Sequence, residues 1–241
     1  MQKLARQNTV ESLQAQFETF EKGLNGQSKS PVHGIRRNAL ERLIQEGLPG
    51  PKHEEYKFTN LTKSIEKNFD LSSPSPAFGL GKQVISDSEI PGLDAHKIVF
   101  VNGRFSNEYS DDMDIPGLSV QSLEVALKEC PQKVESLFNT QADFKEDAFV
   151  AMNTALAQQG MLIEIKEKAV IDKPIALYFV GDSSNSTLSY NIRNLVIAGK
   201  FSEATIIEKF DTYGDHASFT NVVNEFTVAE NAHLKHFKIE N

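Results

Sequence analysis

Residues 194–210 read NLVIAGKFSEATIIEKF, and residues 224–241 read NEFTVAENAHLKHFKIEN. Both stretches alternate as strands do, and they stand about thirty residues apart. The interval recurs between single residues: Ile165 to Ile197 spans 32 and Leu195 to Phe226 spans 31. In the second half of the unit, Leu177 to Ile207 spans 30 and Ile206 to Leu234 spans 28. Each unit therefore holds two short strands, with the drift in spacing absorbed by the turns. Such a unit cannot bury its own apolar face, whereas stacked copies can, each strand pairing with its counterpart in the next copy. The pattern predicts the start of a parallel β-helix over 147–241, against a competing antiparallel sandwich of evenly spaced strands. A stack that stops at Asn241 in mid-repeat leaves open strand edges. We therefore expect either a chain that continues or an end covered by another molecule.

Working back toward the N-terminus, the period changes. MLIEI, IALYFV, NLVIA, TIIEKF, NEFTVA and LKHFKI are the strand runs from Met161 onward. Before them, EDAFVAMNTALAQQG places Phe149, Met152, Ala155 and Leu156 on one helical face, with Gly160 at the exit. SVQSLEVALKEC and PQKVESLFN also show helical spacing, while KIVFVNGRFS carries two β-prone runs about Asn102-Gly103, a hairpin signal. The chain between 83 and 146 reads as a small mixed α/β connecting region. Residues 1–82 read as helical: Leu13, Phe17, Phe20 and Leu24 recur at three- and four-residue intervals. A second helix is capped by Ser30, opened by Pro31, and closed by Gly47 and Pro49. KHEEYKFTNLTKSIEKNF ends in a short helix, and LSSPSPAFGLGK is a linker by composition.

At 241 residues, with 39% hydrophobic and 24% charged residues, the chain supports one large or two modest folded domains. The net charge of −8 is spread along the chain, with no Lys/Arg-rich face for phosphate backbones. GIRR at 34–37 is a two-charge step on a helix and reads as a solvated face. Neither nucleic acid nor membrane is an expected partner, since no apolar run approaches the roughly 20 residues of a span. The N-terminus lacks a secretory signal, so a cytoplasmic protein is expected. The single cysteine, Cys130, excludes an internal disulfide and a CxxC knuckle. It reads as a structural thiol.

Catalytic constellations are missing. In PAFGLGKQ, Pro76 occupies the first glycine of a phosphate loop and Gln83 the place of the Ser/Thr. AGKFSEAT fails likewise. His233 and His236, three apart on a strand, point to opposite faces and cannot share a metal without a bulge. His216 beside Asp215 reads as a turn residue, and Glu54 and Glu55 diverge on a helix. No catalytic, cofactor or metal residue is assigned, and the chain is expected not to be an enzyme.

Five stretches in series resemble the SufD family: GLPGPKHEEYKFTNL, FVNGRFS, AMNTALAQQGMLIEIKEKAVIDKPIALYF, RNLVIAGKFSEATIIEKF and NVVNEFTVAENAHLKHFKIEN. The resemblance runs from about Leu48 to the end, and EEYKFTNL favours SufD over its paralogue SufB. It implies a right-handed parallel β-helix flanked by helical segments. It also implies a scaffold subunit of Suf iron–sulfur cluster assembly, acting with SufB and the ATPase SufC. Family members run past Asn241 through further coils and an ATPase-docking helical segment, so no cluster ligand is transferred to this chain. These 241 residues are expected to hold no cluster and to bind ATPase weakly or not at all. A polyuronate-type carbohydrate enzyme is the alternative from another class, and a module that dimerises through its open end is a third.

Overall fold

The computed structural model describes residues 2–24, 30–50, 53–56, 58–59, 61–69 and 80–240. Most of the expected linker over 71–82 lies outside them. Two long helices open the chain, α1 (Gln2–Lys22) and α2 (Pro31–Glu46). Ser30 accepts a hydrogen bond from the His33 N–H, and Gly47 leaves α2 at φ 72°, so the punctuation read from sequence is the punctuation used. A single 3-10 turn at Glu54–Tyr56 leads to α3 (Leu61–Asn68), and α4 (Lys82–Asp87) follows the linker. No helix among the described residues is long and apolar enough to cross a membrane.

The mixed segment that comes next holds β1 (His96–Val101) and β2 (Arg104–Phe105), the antiparallel hairpin expected around Asn102-Gly103. Both turn residues take positive φ, 49° and 77°, as a tight hairpin demands. One expectation needs correction here. Leu118–Ser122 is not the start of a helix but a strand, β3, antiparallel to β4 (Met161–Ile165). Ser122 ends that strand and caps α5 (Leu123–Glu129), so one residue closes a strand and opens a helix. Helices α6 (Pro131–Leu137) and α7 (Ala148–Leu156) complete the α elements.

From β4 the chain alternates between two sheets through β5 (Ile175–Asp182), β6 (Leu188–Ala198), β7 (Glu203–Tyr213), β8 (Ser218–Val228) and β9 (His233–Glu240). The sheet orders are β2-β1-β5-β7-β9 and β3-β4-β6-β8. All contacts among β4–β9 within the sheets are parallel, so the antiparallel sandwich is set aside for this region. The fold is mixed α/β, with parallel sheets and the helices toward the N-terminus.

The repeat is real, but its register differs from the one obtained by matching apolar residues. Leu195 lies opposite Glu225, Ile165 opposite Ala198, Leu177 opposite Glu208, and Ile206 opposite His236. The reason is burial on both faces. Inward, Ile163, Leu177, Phe179, Ile192, Val196 and Ile206 share one core between the sheets. Outward, Leu162 and Leu195 pack under α2, α5 and α6, and Ala176, Tyr178 and Val180 pack under α4. A strand apolar on both faces loses the alternation that would mark its register.

Three ladders hold successive repeats in register. Phe100, Phe179 and Phe210 pair across β1, β5 and β7 and stack at 5.0 and 4.6 Å between ring centroids. Asn191 and Asn221, then Asn194 and Asn224, pair across β6 and β8 with amide bonds of 3.0 and 2.8 Å. The third is the corner between sheets, where Lys168, Phe201 and Asn231 adopt φ of 62°, 58° and 56°. Backbone bonds from Lys168 N–H to Lys200 O and from Phe201 N–H to Glu230 O tie one corner to the next.

The helical layer is locked to the second sheet by a buried ion pair. Arg193, fully buried on β6, gives Nη2 and Nε to Glu225 on β8 at 2.7 and 2.9 Å. The Glu225 carboxylate also accepts four consecutive backbone N–H groups, from Asn139 to Ala142, at 2.7 to 3.2 Å. Asn139 turns at φ 63° to aim that run of donors, forming an anion nest. Arg193 completes its shell with Asn153 and Thr154 of α7 and the face of Phe138. Burial drives the Arg193 pKa down and Glu225 opposes that shift.

Glu225→Ala strands a buried guanidinium and four amide donors, and we expect a loss of about 3–5 kcal/mol in urea denaturation. At Gly160 (φ 148°) an added Cβ would stand 1.7 Å from the Arg193 carbonyl oxygen. Gly160→Ala should therefore cost more than about 3 kcal/mol or abolish folding, read as a lost far-UV melting transition.

Candidate functional site

Along β7, β8 and β9 the inward positions begin apolar and turn polar. Ala204, Ile206 and Phe210 on β7, Val222 and Phe226 on β8, and Leu234 on β9 belong to the core. Glu208, Asn224 and His236 occupy the same inward parity. Glu208 is 2% exposed, and a buried carboxylate in an apolar stack must be hydrogen-bonded to persist. Asn224 donates Nδ2 to both of its oxygens at 3.0 Å, and His236 Nε2 lies 2.9 Å from Oε2. The chain of amides continues inward: Asn194 donates to Asn224 Oδ1 at 2.8 Å and accepts from the Met161 N–H at 3.0 Å.

This cluster borders a cavity of about 530 Å³ lined by Glu208, Phe210, Asn224, His236 and Lys238 among others. Lys238 sits 4.9 Å from the Phe210 ring centroid and so covers the exposed end of the aromatic ladder. The opening lies where β8 and β9 form the outer strands of their sheets. Chemically the site offers a carboxylate, an imidazole, amides and an ammonium group around one open space. That suits hydrogen bonding to a polar partner surface. Glu208 and His236 supply two metal donors, and no group of three or more His, Cys, Asp or Glu residues able to hold a metal ion occurs among the described residues.

The residues singled out from sequence fall as follows. His233 and His236 do face opposite sides of β9: His236 turns inward to Glu208, and His233 is exposed on the other face. His216 sits in a corner turn with Nδ1 2.8 Å from the Ser183 oxygen. Cys130 is the junction of α5 and α6, its thiol 3.8 Å from the Gln121 side-chain oxygen. Glu54 lies on the 3-10 turn, whose Tyr56 donates to Asp147 at 2.6 Å and packs on Phe149, fixing the segment against the cap of α7. Gln83 lies within α4, and Pro76 is outside the described residues. Sequence reasoning passed over Glu208, Asn224, Arg193 and Glu225. The available signal was a charge or amide at a strand parity otherwise reserved for apolar residues.

Residues 7–177 match the family model for the SufBD protein N-terminal region. Residues 179–241 match that for the SufBD core domain of the SUF system for FeS cluster assembly. The iron–sulfur cluster assembly protein SufD of Escherichia coli (strain K12) is 28% identical over 234 residues, covering 96% of this chain and 50% of that protein. An iron–sulfur cluster assembly SufBD family protein of Synechocystis is 24% identical, with 89% of this chain and 49% of the relative covered. The chain thus spans about half the length of these curated relatives.

Removing buried Glu208 takes the acceptor from half-buried Asn224, whereas the His236 side chain is 32% exposed and can turn to water. Glu208→Ala is expected to destabilise by about 1–3 kcal/mol and His236→Ala by less than about 1 kcal/mol, compared by urea midpoints at constant slope.

Proposed function

The chain belongs to the SufBD family of Suf-system iron–sulfur cluster assembly proteins, and from that premise we propose that it forms the N-terminal part of a SufD-type scaffold subunit. It works beside a SufB-like paralogue and a SufC-like ATPase in the cytoplasm and performs no catalysis of its own. The cluster is assembled transiently on the whole complex. Nucleic acid and membrane are not among its partners, and a second copy is the alternative occupant of its open edge. The proposed organisation is a helical region over 1–82, a connecting α/β region over 83–146, and the first coils of a right-handed parallel β-helix over 147–241.

The observation that carries this reading is the parallel stack itself. Successive repeats superpose strand on strand at intervals of 30 to 33 residues, from Leu162↔Leu195 (33) to Val196↔Phe226 and Ala204↔Leu234 (30 each). A rod so built is stiff, because its ladders resist both sliding and shear. It suits a subunit that holds partners in fixed geometry. The family assignment lends the carbohydrate-enzyme alternative no support.

Expressed from its complete coding sequence with a tag, the protein should retain SufB- and SufC-type subunits through anaerobic, reducing purification. Recovery of the tagged protein alone under those conditions, with all three subunits soluble, overturns the scaffold assignment.

A further inference from the structure

A second cavity, of about 610 Å³, lies between the α1–α2 pair, α5 and the tip of the β1–β2 hairpin. Its lining is unusual in charge. Arg36, His33, Arg104 and Lys128 contribute to it, and Glu124 is the one acid among its lining residues. Lys128 and Glu124 already pair with each other at 2.7 Å.

Arg36 is the anomaly. It is 2% exposed, yet no carboxylate among the described residues forms an ion pair with it. The guanidinium gives Nη1 to the Ala157 carbonyl and lies between the Phe20 and Phe138 rings, 5.3 and 5.2 Å from their centroids. A guanidinium carries five N–H donors. The nitrogens of Arg36 left without a protein acceptor are not among the sealed, unpartnered atoms of the core. Arg36 is one of the residues lining the cavity, so those donors are available beside it. Burial, reinforced by the nearby Arg193, pushes Arg36 down to about 10, and no acid acts to restore it. Residues 25–29, Asn-Gly-Gln-Ser-Lys, contain no acid that could serve.

The start of α2 borders the same space. Ser30 and Pro31, at the N-terminus of the 16-residue helix α2, line the cavity, and a helix of that length presents partial positive charge there. His33 also lines the cavity, but its Nε2 is committed to Glu21 at 2.8 Å and its Nδ1 is sealed, so it offers a bound anion no donor. Arg37 donates Nε to that same Glu21 oxygen at 2.8 Å, so the Glu21 carboxylate is already engaged by Arg37 as well as by His33.

We infer that this cavity is a binding site for a small organic anion, which places a carboxylate or phosphate group against Arg36 and the first turn of α2. Its volume is in the range of small-molecule sites, and a buried arginine with free N–H groups in fork geometry matches an oxyanion. Arg104 and Lys128, both exposed at the margin, supply the outer charge. The site lies on the helical side of the molecule and uses none of the residues of the Glu208 cluster. It stands whether or not the scaffold reading does.

The test is a titration of the purified chain with inorganic phosphate and, separately, citrate, each against sodium chloride at matched ionic strength. Amide shifts of the α2 first turn by NMR and the melting temperature are the two readouts. Saturable shifts with a concentration-dependent rise in Tm are expected for at least one anion. Phosphate alone would assign a phosphoryl ligand, citrate alone a carboxylate. Arg36→Met, which keeps the aliphatic stem and removes the charge, should weaken binding by at least about tenfold. Arg104→Gln, at an exposed position that does not threaten folding, should weaken it by a few-fold, about three or more. The proposal is overturned by responses no greater than those to sodium chloride. Unchanged binding in the folded variants would overturn it equally.

Discussion

The Arg193–Glu225 pair holds the architecture together. It is a charge pair with almost no access to water, and such a pair survives only when every remaining donor and acceptor is engaged. Here the carboxylate is enclosed by two guanidinium nitrogens and four successive amides. The guanidinium is in turn enclosed by that carboxylate, two α7 side chains and an aromatic face. The consequence is geometric. Two strands of the second sheet, the 139–142 turn and helix α7 must all be placed correctly at once, because no member can leave without orphaning the others.

That lock works together with weaker, repeated contacts. The phenylalanine stack and the paired asparagines add little per step, but they select one register among several that would bury similar apolar area. Asn153 of α7 reinforces this by donating to the backbone oxygens of Ile192 and Asn221, neighbouring strands of the second sheet, at 2.8 and 2.9 Å. Polar groups thus specify the arrangement in which hydrophobic burial is realised. The same division appears at the last strands, where Glu208, Asn224 and His236 turn the core from apolar to polar beside the edges of β8 and β9 that pair with no further strand among the described residues.

The two cavities differ in kind, and the difference is electrostatic. The space beside Glu208 holds a carboxylate whose hydrogen bonds are already met by protein, so what remains is a polar surface suited to contact. The space beside Arg36 holds a cation whose donors the described residues leave mostly unmet. One is a polar surface whose groups are satisfied, the other a space bordered by unmet donors, and the two share no lining residue.

Much of this was legible in the chain. Ser30, Pro31 and Gly47 act locally, through caps and permitted dihedral angles, so α2 could be bounded without knowing its neighbours. Asn102-Gly103 located the hairpin for the same reason, and the thirty-residue repeat exposed the parallel stack because equivalent strands carry equivalent side chains. Register was not legible, since Leu195 is apolar for the sake of the overlying helices and Leu177 for the core between the sheets, and an apolar match cannot distinguish either from a contact with a partner strand. The strand at Leu118–Ser122 escaped because its pairing partner lies some forty residues later in the sequence. Arg193 with Glu225, Glu208 with His236, and Arg36 without an acid were invisible for a deeper reason. Caps and turns are settled by bonds between near neighbours, whereas the value of a buried charge depends on what distant segments bring to it, and only the folded chain decides that.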